Sequence, residues 1–285
     1  MRKRYEDLTL RDNFMFGIIM RKEKFCKQFL EMILDKKIQK IKYVNSEENV
    51  DTETDARSIR LDVYIDDGEG TVYDIEMQNV TQPSLGKRFR YYQSVIDTDT
   101  MNKGADFDEL TNSYIIFICT FDPFKHGLPV YSFVSSAIED HNLIMDDGSN
   151  RIVLNTTAFD KCKDTSIQNF LRYIETGEKK DKYTEDLDNA IKIAKENNEG
   201  RARYMTMEMA LREERRIARS EGLEEGRAEG RAEGKAEGKA ETLYRLLDKG
   251  YISLEDAVEE SGIDERSFLQ EMKEAGFDTA KINSR

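Results

Sequence analysis

The sequence of 285 residues has no tryptophan, three prolines, three cysteines and two histidines. Each scarcity excludes something. The last proline is Pro129, so the 156 residues after it can run as uninterrupted helix. Cys26, Cys119 and Cys162 are widely spaced, with no CxxC. They read as reduced thiols of a cytoplasmic protein, neither a disulfide framework nor a zinc site. His126 and His141 are too few for a histidine-rich metal site, and His126 in DPFKHGLP reads as a turn residue between Pro123 and Pro129. No apolar run reaches the ~18 residues of a membrane span. The basic start, MRKRYEDLTLRDN, has no apolar stretch behind it, so no secretory signal is expected. GxGxxG and a phosphate-loop lysine are also missing.

Charge is abundant but unevenly laid out. Asp and Glu number 57 against 44 Lys and Arg, a formal net charge of −13. That balance argues against a nonspecific coat on nucleic acid. Locally it reverses: residues 1–42 carry +6 and 81–90 carry +3, while 61–80 between them carry −6. An acidic segment is flanked by basic ones.

Periodicity supplies the elements. Residues 12–36 predict two short helices, with Asp12 as cap of the first and Phe25, Phe29, Leu30, Ile33 and Leu34 as the apolar face of the second. IQKIKYV, within 37–54, is a possible strand followed by a polar loop. RLDVYID (60–66) and TVYDIEMQN (71–79) alternate and are joined by DGEG, a hairpin. Ser84 opens a helix with the stripe Leu85, Phe89, Tyr92 and Ile96. YIIFICTF (114–121) reads as a buried parallel strand, and shorter strands are expected at 130–135 and 151–156. From Ser166 the pattern is helical.

The hairpin register brings two acids together. With Gly68, Glu69 and Gly70 as loop, Asp67 faces Thr71 and Asp62 faces Glu76. Both acids lie on a polar face with Tyr64, Asp74 and Gln78, while Leu61, Val63, Ile65, Tyr73, Ile75 and Met77 lie on the other. Opposed carboxylates repel, and a hard divalent cation such as Mg²⁺ or Mn²⁺ would relieve them. The next helix carries Lys87, Arg88 and Arg90. Arg88 and Tyr91, one turn apart, are placed to reach a phosphate, which the planar guanidinium suits.

Farther on, Gly222, Gly226, Gly230, Gly234 and Gly238 mark a four-residue repeat, EGRAEGRAEGKAEGKAE. Like charges recur at i,i+4 and each Gly costs a helix about 1 kcal/mol relative to Ala, so the segment alone predicts a poor helix. It reads as a spacer or as a small-residue ridge for a dimer arm. Residues 242–276 predict three short helices ended by Gly250, Gly262 and Gly276, with Ser253 and Asp264 as N-caps. Residues 251–260 carry −4, unlike a DNA recognition helix, which favours partner- or self-binding.

Arg60-Leu61-Asp62-Val63-Tyr64, Ile75-Glu76-Met77-Gln78, and Arg88 followed by Tyr91-Tyr92 together resemble the recombination-promoting nuclease/putative transposase family of the PD-(D/E)XK nuclease superfamily. The resemblance continues through Gly104 with FDEL, DPFKHGLPVYSF (122–133), RIVLN (151–155), FLRYI (170–174), the Gly-periodic segment and the helical tail, and so covers nearly the whole chain. It implies an α/β fold with a restriction-endonuclease-like αβββαβ core, a mixed central sheet and a helical C-terminal region. The expected divisions are 1–165 for the core, 166–221 for a helical extension, 222–241 for the Gly-periodic helix or linker and 242–285 for a small helical tail. The family pattern makes Asp62, Glu76 and the Met77 carbonyl the holders of Mg²⁺ or Mn²⁺. Gln78 stands where the superfamily usually has Lys, a substitution usual in this family, and Arg88 matches the family's Arg. Lys87, Arg88, Arg90 and Tyr91 would meet DNA phosphates. An acid from the first helices often completes such sites, and Asp12 and Glu31 are candidates. The implied activity is metal-dependent DNA endonuclease, serving recombination or a mobile element, in a cytoplasmic homodimer joined through its C-terminal helices. The alternatives are a catalytically silent DNA- or partner-binding protein that keeps the fold, and a dimeric regulator acting through its tail. A DDE transposase would need a third acid segment, and none is visible.

Overall fold

A computed structural model of the chain describes residues 3–43, 62–81, 84–101, 106–279 and 282. Their contacts form two compact units, Met1–Met205 and Thr206–Arg285.

The first unit opens with α1 (Asn13–Met20) and α2 (Glu23–Leu34). Asp12 stands at the N-cap of α1 but makes no side-chain cap. Its carboxylate instead accepts from Lys3 and from the Thr9 amide. Of the strand expected in IQKIKYV, only Lys42–Tyr43 (β1) is paired among the described residues. The polar loop after it, Arg60, Leu61 and Gly104 lie outside the described residues. The hairpin follows as β2 (Val63–Asp66) and β3 (Thr71–Gln78). The helix opened by Ser84 is α3 (Leu85–Thr100). β4 (Asn112–Cys119), β5 (Val130–Phe133) and β6 (Ser149–Asn155) complete a sheet of order β1-β2-β3-β4-β6-β5. β3, β4 and β6 run parallel, and the outer pairs are antiparallel. The fold is α/β with a mixed sheet, consistent with a restriction-endonuclease-like architecture.

The apolar run at 114–121 becomes β4 in the sheet interior because it can be buried on both faces. One face is covered by α3: Phe89, Tyr92 and Ile96 pack on Ile115, Phe117, Val153 and Val72. On the other, Tyr73, Ile75, Met77, Ile116 and Ile118 are fully buried, and α1 lies against β3. Burying each such side chain contributes about 1.5–3 kcal/mol, which holds the hairpin rigid from both sides.

The helical stretch after residue 165 begins as part of this unit. α4 (Thr165–Thr176) stacks Phe170 on Phe29 of α2, with ring centroids 5.1 Å apart. α5 (Lys182–Glu196) sends the Tyr183 hydroxyl to the Phe25 carbonyl at 2.9 Å. α6 then runs from Asn198 to Asp248. It is unbroken through the Gly repeat, where local pairing predicted a poor helix. Helix propagation is cooperative, and only nucleation is costly. This stretch is continuous at both ends with packed helix: Tyr204 is buried near the start, Leu243, Tyr244 and Leu247 near the end.

In the second unit the end of α6 packs with α7 (Leu254–Ser261) and α8 (Glu265–Glu274) around Ala257, Phe268 and Met272. Here the sequence reading holds closely. Ser253 accepts from the Asp256 amide in a capping box, and Asp264 accepts from the Ser267 amide. Gly250, Gly262 and Gly276 take positive φ at the helix ends. The first of the three predicted helices is the end of α6 rather than a separate element.

Candidate active site

The site begins with a tight loop. Gly68 and Gly70 have φ of 72° and 89°, which a β-carbon disfavours. The Asp67 side chain accepts from the amides of Glu69 and Thr71 at 2.9 and 3.0 Å. This loop fixes the pairing Val63↔Ile75, Tyr64↔Asp74, Ile65↔Tyr73 and Asp66↔Val72. One step farther, Asp62 meets Glu76. The Asp62 amide donates to Glu76 Oε1 at 2.9 Å, and the Met77 amide donates to Asp62 Oδ2 at 3.2 Å. Each acid is thus held by the backbone of the other's strand.

α1 closes over this pair. Asn13 donates to the Met77 carbonyl at 3.1 Å and approaches Asp62 Oδ2 at 3.5 Å. Asn79 donates to Asn13 Oδ1 at 3.2 Å and to the Arg11 carbonyl. Arg21, just past α1, donates to the Asp62 carbonyl at 3.3 Å. A β-carbon on Gly17 would already lie 3.9 Å from that carbonyl, so the helix runs close to the strand.

The expected polar face is polar in composition but is buried beneath α3. Asp74 has no exposed surface, Glu76 is 3% exposed and Gln78 7%. Neither oxygen of Asp74 finds a hydrogen-bond donor among the described residues, nor does the Tyr64 hydroxyl opposite find a partner. Burial, and then the Asp62 carboxylate, hold Asp74 well above the usual carboxylate range; the neighbouring Glu76 carboxyl and the Arg88 charge offset this in part. Burial likewise raises Glu76, with Asp74 and Asp62 adding to the effect and the Asp62 amide and Arg88 opposing it. Asp62, Asp74 and Glu76 thus gather three carboxyl groups on one face, with the Arg88 cation offsetting the buried two in part.

From α3, Arg88 donates to Gln78 Oε1 at 2.7 Å and to the Tyr92 hydroxyl at 3.0 Å. Its guanidinium lies 5.0 Å from the Phe117 ring centroid.

A family described as PD-(D/E)XK nuclease family transposase matches residues 13–221, more than half of the chain. The chain belongs to this family. No curated protein and no solved structure matches it.

Nucleases of the PD-(D/E)XK kind generally use divalent metal ions, and the donors here fit one: Asp62, Glu76 and the Met77 carbonyl offer only oxygen. A carbonyl oxygen carries a second lone pair beside the one that Asn13 uses. Asp74, buried with both oxygens unpartnered, adds to the charge that an ion would neutralise. Among the described residues no group of three or more His, Cys, Asp or Glu side chains has the arrangement of a metal site.

The structure gathers Asp62, Glu76, Met77, Gln78 and Arg88 into one place. Lys87, Arg90 and Tyr91 lie on exposed parts of α3. The two upstream acids are engaged elsewhere. Asp12 is held by Lys3 at 2.7 Å, and Glu31 accepts from the Ile38 amide at 3.1 Å and lies 3.6 Å from Lys37. The α1 side chain that does meet Asp62 is Asn13. Sequence reasoning missed Asn13 and Asn79, and it put Asp74 on the polar face and Tyr92 in the α3 stripe without giving either a role in the site. Of these four, Asp74 had a local signal, the even-numbered spacing of Asp74, Glu76 and Gln78. The Asn13–Met77 contact spans 64 residues and left no local signal.

Proposed function

We propose that this protein is a metal-dependent DNA endonuclease that hydrolyses phosphodiester bonds, with Asp62 and Glu76 as its essential acids. The reading is carried by the interlocked pair at the hairpin end, two carboxylates forced together beside Gln78 and Arg88. A divalent cation held by Asp62, Glu76 and the Met77 carbonyl, Mg²⁺ or Mn²⁺, supplies Lewis acidity and a water of lowered pKa. The chain supplies the rest. The Asp62 and Met77 amides fix the two carboxylates before substrate arrives, so no reorganisation is needed at the reacting phosphate. Arg88 keeps a positive charge next to the acids. Lys87, Arg90 and Tyr91, exposed on the same helix, offer charge and an aromatic face to the DNA backbone. Purified protein with Mn²⁺ should nick plasmid DNA, and Asp62→Ala and Glu76→Ala should each reduce nicking to background. Nicking that survives both substitutions would show the assigned site to be wrong.

A catalytically silent DNA- or partner-binding role is the second reading. It is favoured by Gln78, a neutral residue where the superfamily uses Lys. Wild type that binds DNA but never cuts it with any divalent ion would support it.

Assembly belongs, in our reading, to the C-terminal helices. Between Met205 and Leu223, α6 exposes Met205, Met209, Ile217 and Leu223, an apolar series that a second copy would cover, giving a homodimer. Met209→Ser, Ile217→Ser and Leu223→Ser together should abolish oligomer in sedimentation while nicking persists. Monomeric wild type would remove this assignment.

A further inference from the structure

Gln78 is the residue whose role the superfamily pattern leaves open, and its environment fixes what it can do. An amide side chain has one acceptor end and one donor end, and the two are easily exchanged in a structure. Here the exchange is forbidden. The partner of Gln78 is a guanidinium, which carries donors only. Arg88 at 2.7 Å must therefore meet the amide oxygen. The NH₂ group is then the polar end that Gln78 has left to present.

Arg88 is itself held. It donates its other terminal nitrogen to the Tyr92 hydroxyl at 3.0 Å, and its guanidinium lies over Phe117 and Tyr92, 5.0 and 5.5 Å from their ring centroids. Tyr92 and Phe117 are buried in the layer between α3 and the sheet. The main chain of Gln78 is anchored too, its carbonyl accepting from the Thr120 amide at 3.0 Å. Gln78 is fixed at its backbone and at its amide oxygen. A side chain so fixed is a directed donor, and a neutral amide is too weak a base to take a proton from water.

We propose that Arg88 is a positioning residue rather than a phosphate ligand: braced by Tyr92 and Phe117, it grips Gln78 by the amide oxygen and turns the Gln78 NH₂ toward an oxygen of the reacting phosphate or of the attacking water. This rests on the nuclease reading above. Gln78 then supplies the hydrogen bond that a lysine ammonium would give, with the Arg88 charge polarising the amide from behind. Neither Gln78 nor Arg88 offers a base, so the proton of the attacking water leaves by another group.

The test separates positioning from phosphate binding. A labelled duplex is titrated in Ca²⁺ at several salt concentrations, and single-turnover nicking is followed in Mn²⁺. Loss of one preorganised donor typically costs about 10²–10³ in rate, and Arg88→Met and Gln78→Glu should each approach that loss. Tyr92→Phe, which leaves the guanidinium less firmly held, should fall about 10-fold (smaller than the loss of a whole donor). Binding should stay within about twofold of wild type for all three, with an unchanged salt slope. Gln78→Lys added to Arg88→Met should recover nicking, because Lys donates without a clamp. If Arg88→Met instead weakens binding and lowers the salt slope by about one, Arg88 is a phosphate ligand and the proposal falls. If wild type does not nick at all, the nuclease reading fails and the clamp is judged by melting. Tm shifts of Gln78→Met and Arg88→Met that simply add would overturn it, and a double variant less destabilised than their sum would uphold the grip.

Discussion

In the C-terminal helices, acids are used as caps. Asp256 accepts from the Ser253 hydroxyl and amide, and Asp264 from the Ser267 hydroxyl and amide. Hydrogen bonding from those serines holds both carboxyls below their ordinary range. On β3 the same chemistry is turned over. Asp74 and Glu76 lie under α3 with too few donors, and burial pushes both well above the usual range. The tail places charge where donors wait for it and gains stability. The hairpin buries carboxyl groups where donors are few, so that the proton is favoured over the charge, and gives up stability to keep them there. Side by side, they single out the hairpin as the candidate site without reference to any motif.

The largest effect should come from supplying a divalent cation. Mn²⁺ at about one hundred times its dissociation constant should stabilise the protein by about 2.7 kcal/mol, read as a rise in Tm. Asp62→Asn should cancel the rise and Ser253→Ala should leave it intact. A rise that persists in Asp62→Asn would place the ion elsewhere.

Asp74 offers the next test. In EDTA, Asp74→Asn should raise stability by about 1–3 kcal/mol, the scale of an unsatisfied buried polar group. The pH dependence follows from the direction of the shift. With folded pKa values above those of the unfolded chain, the native state holds more protons from about pH 4 upward, so metal-free stability falls as pH rises through that window. Asp74→Asn should flatten the fall. Destabilisation by Asp74→Asn at neutral pH in EDTA would show that the buried Asp74 carboxyl is not a cost to the fold. The smallest effect belongs to the tail: Ser253→Ala removes a cap and should cost about 1 kcal/mol, with nicking and Mn²⁺ response unchanged.

The hairpin register was legible in the sequence because it is set locally, by Gly68, Gly70 and the alternation on either side. The helix caps at Ser253 and Asp264 and the stops at Gly250, Gly262 and Gly276 were legible for the same reason. Burial of the polar face was not. A period of two says which residues share a face, but what covers that face depends on α3 returning over it, and α3's stripe shows only that it packs somewhere. Asn13 and Asn79 escaped notice because their partners are distant in sequence. The unbroken helix through the Gly repeat escaped because pairwise reckoning of charges ignores the helix already formed on both sides.

One feature of the hairpin bears on every experiment above. The bonds from the Asp62 amide to Glu76 and from the Met77 amide to Asp62 add a side-chain rung to the β2–β3 ladder next to the last described backbone pair, Val63↔Ile75. The two acids therefore help to fasten this end of the hairpin. Truncating either to alanine removes an oxygen from the chemistry and a rung from the ladder at once, and the strand end is free to fray. Asp62→Asn and Glu76→Gln keep an acceptor at each position and change only the charge. Comparing amide with alanine at each position reads the chemistry and the hairpin separately.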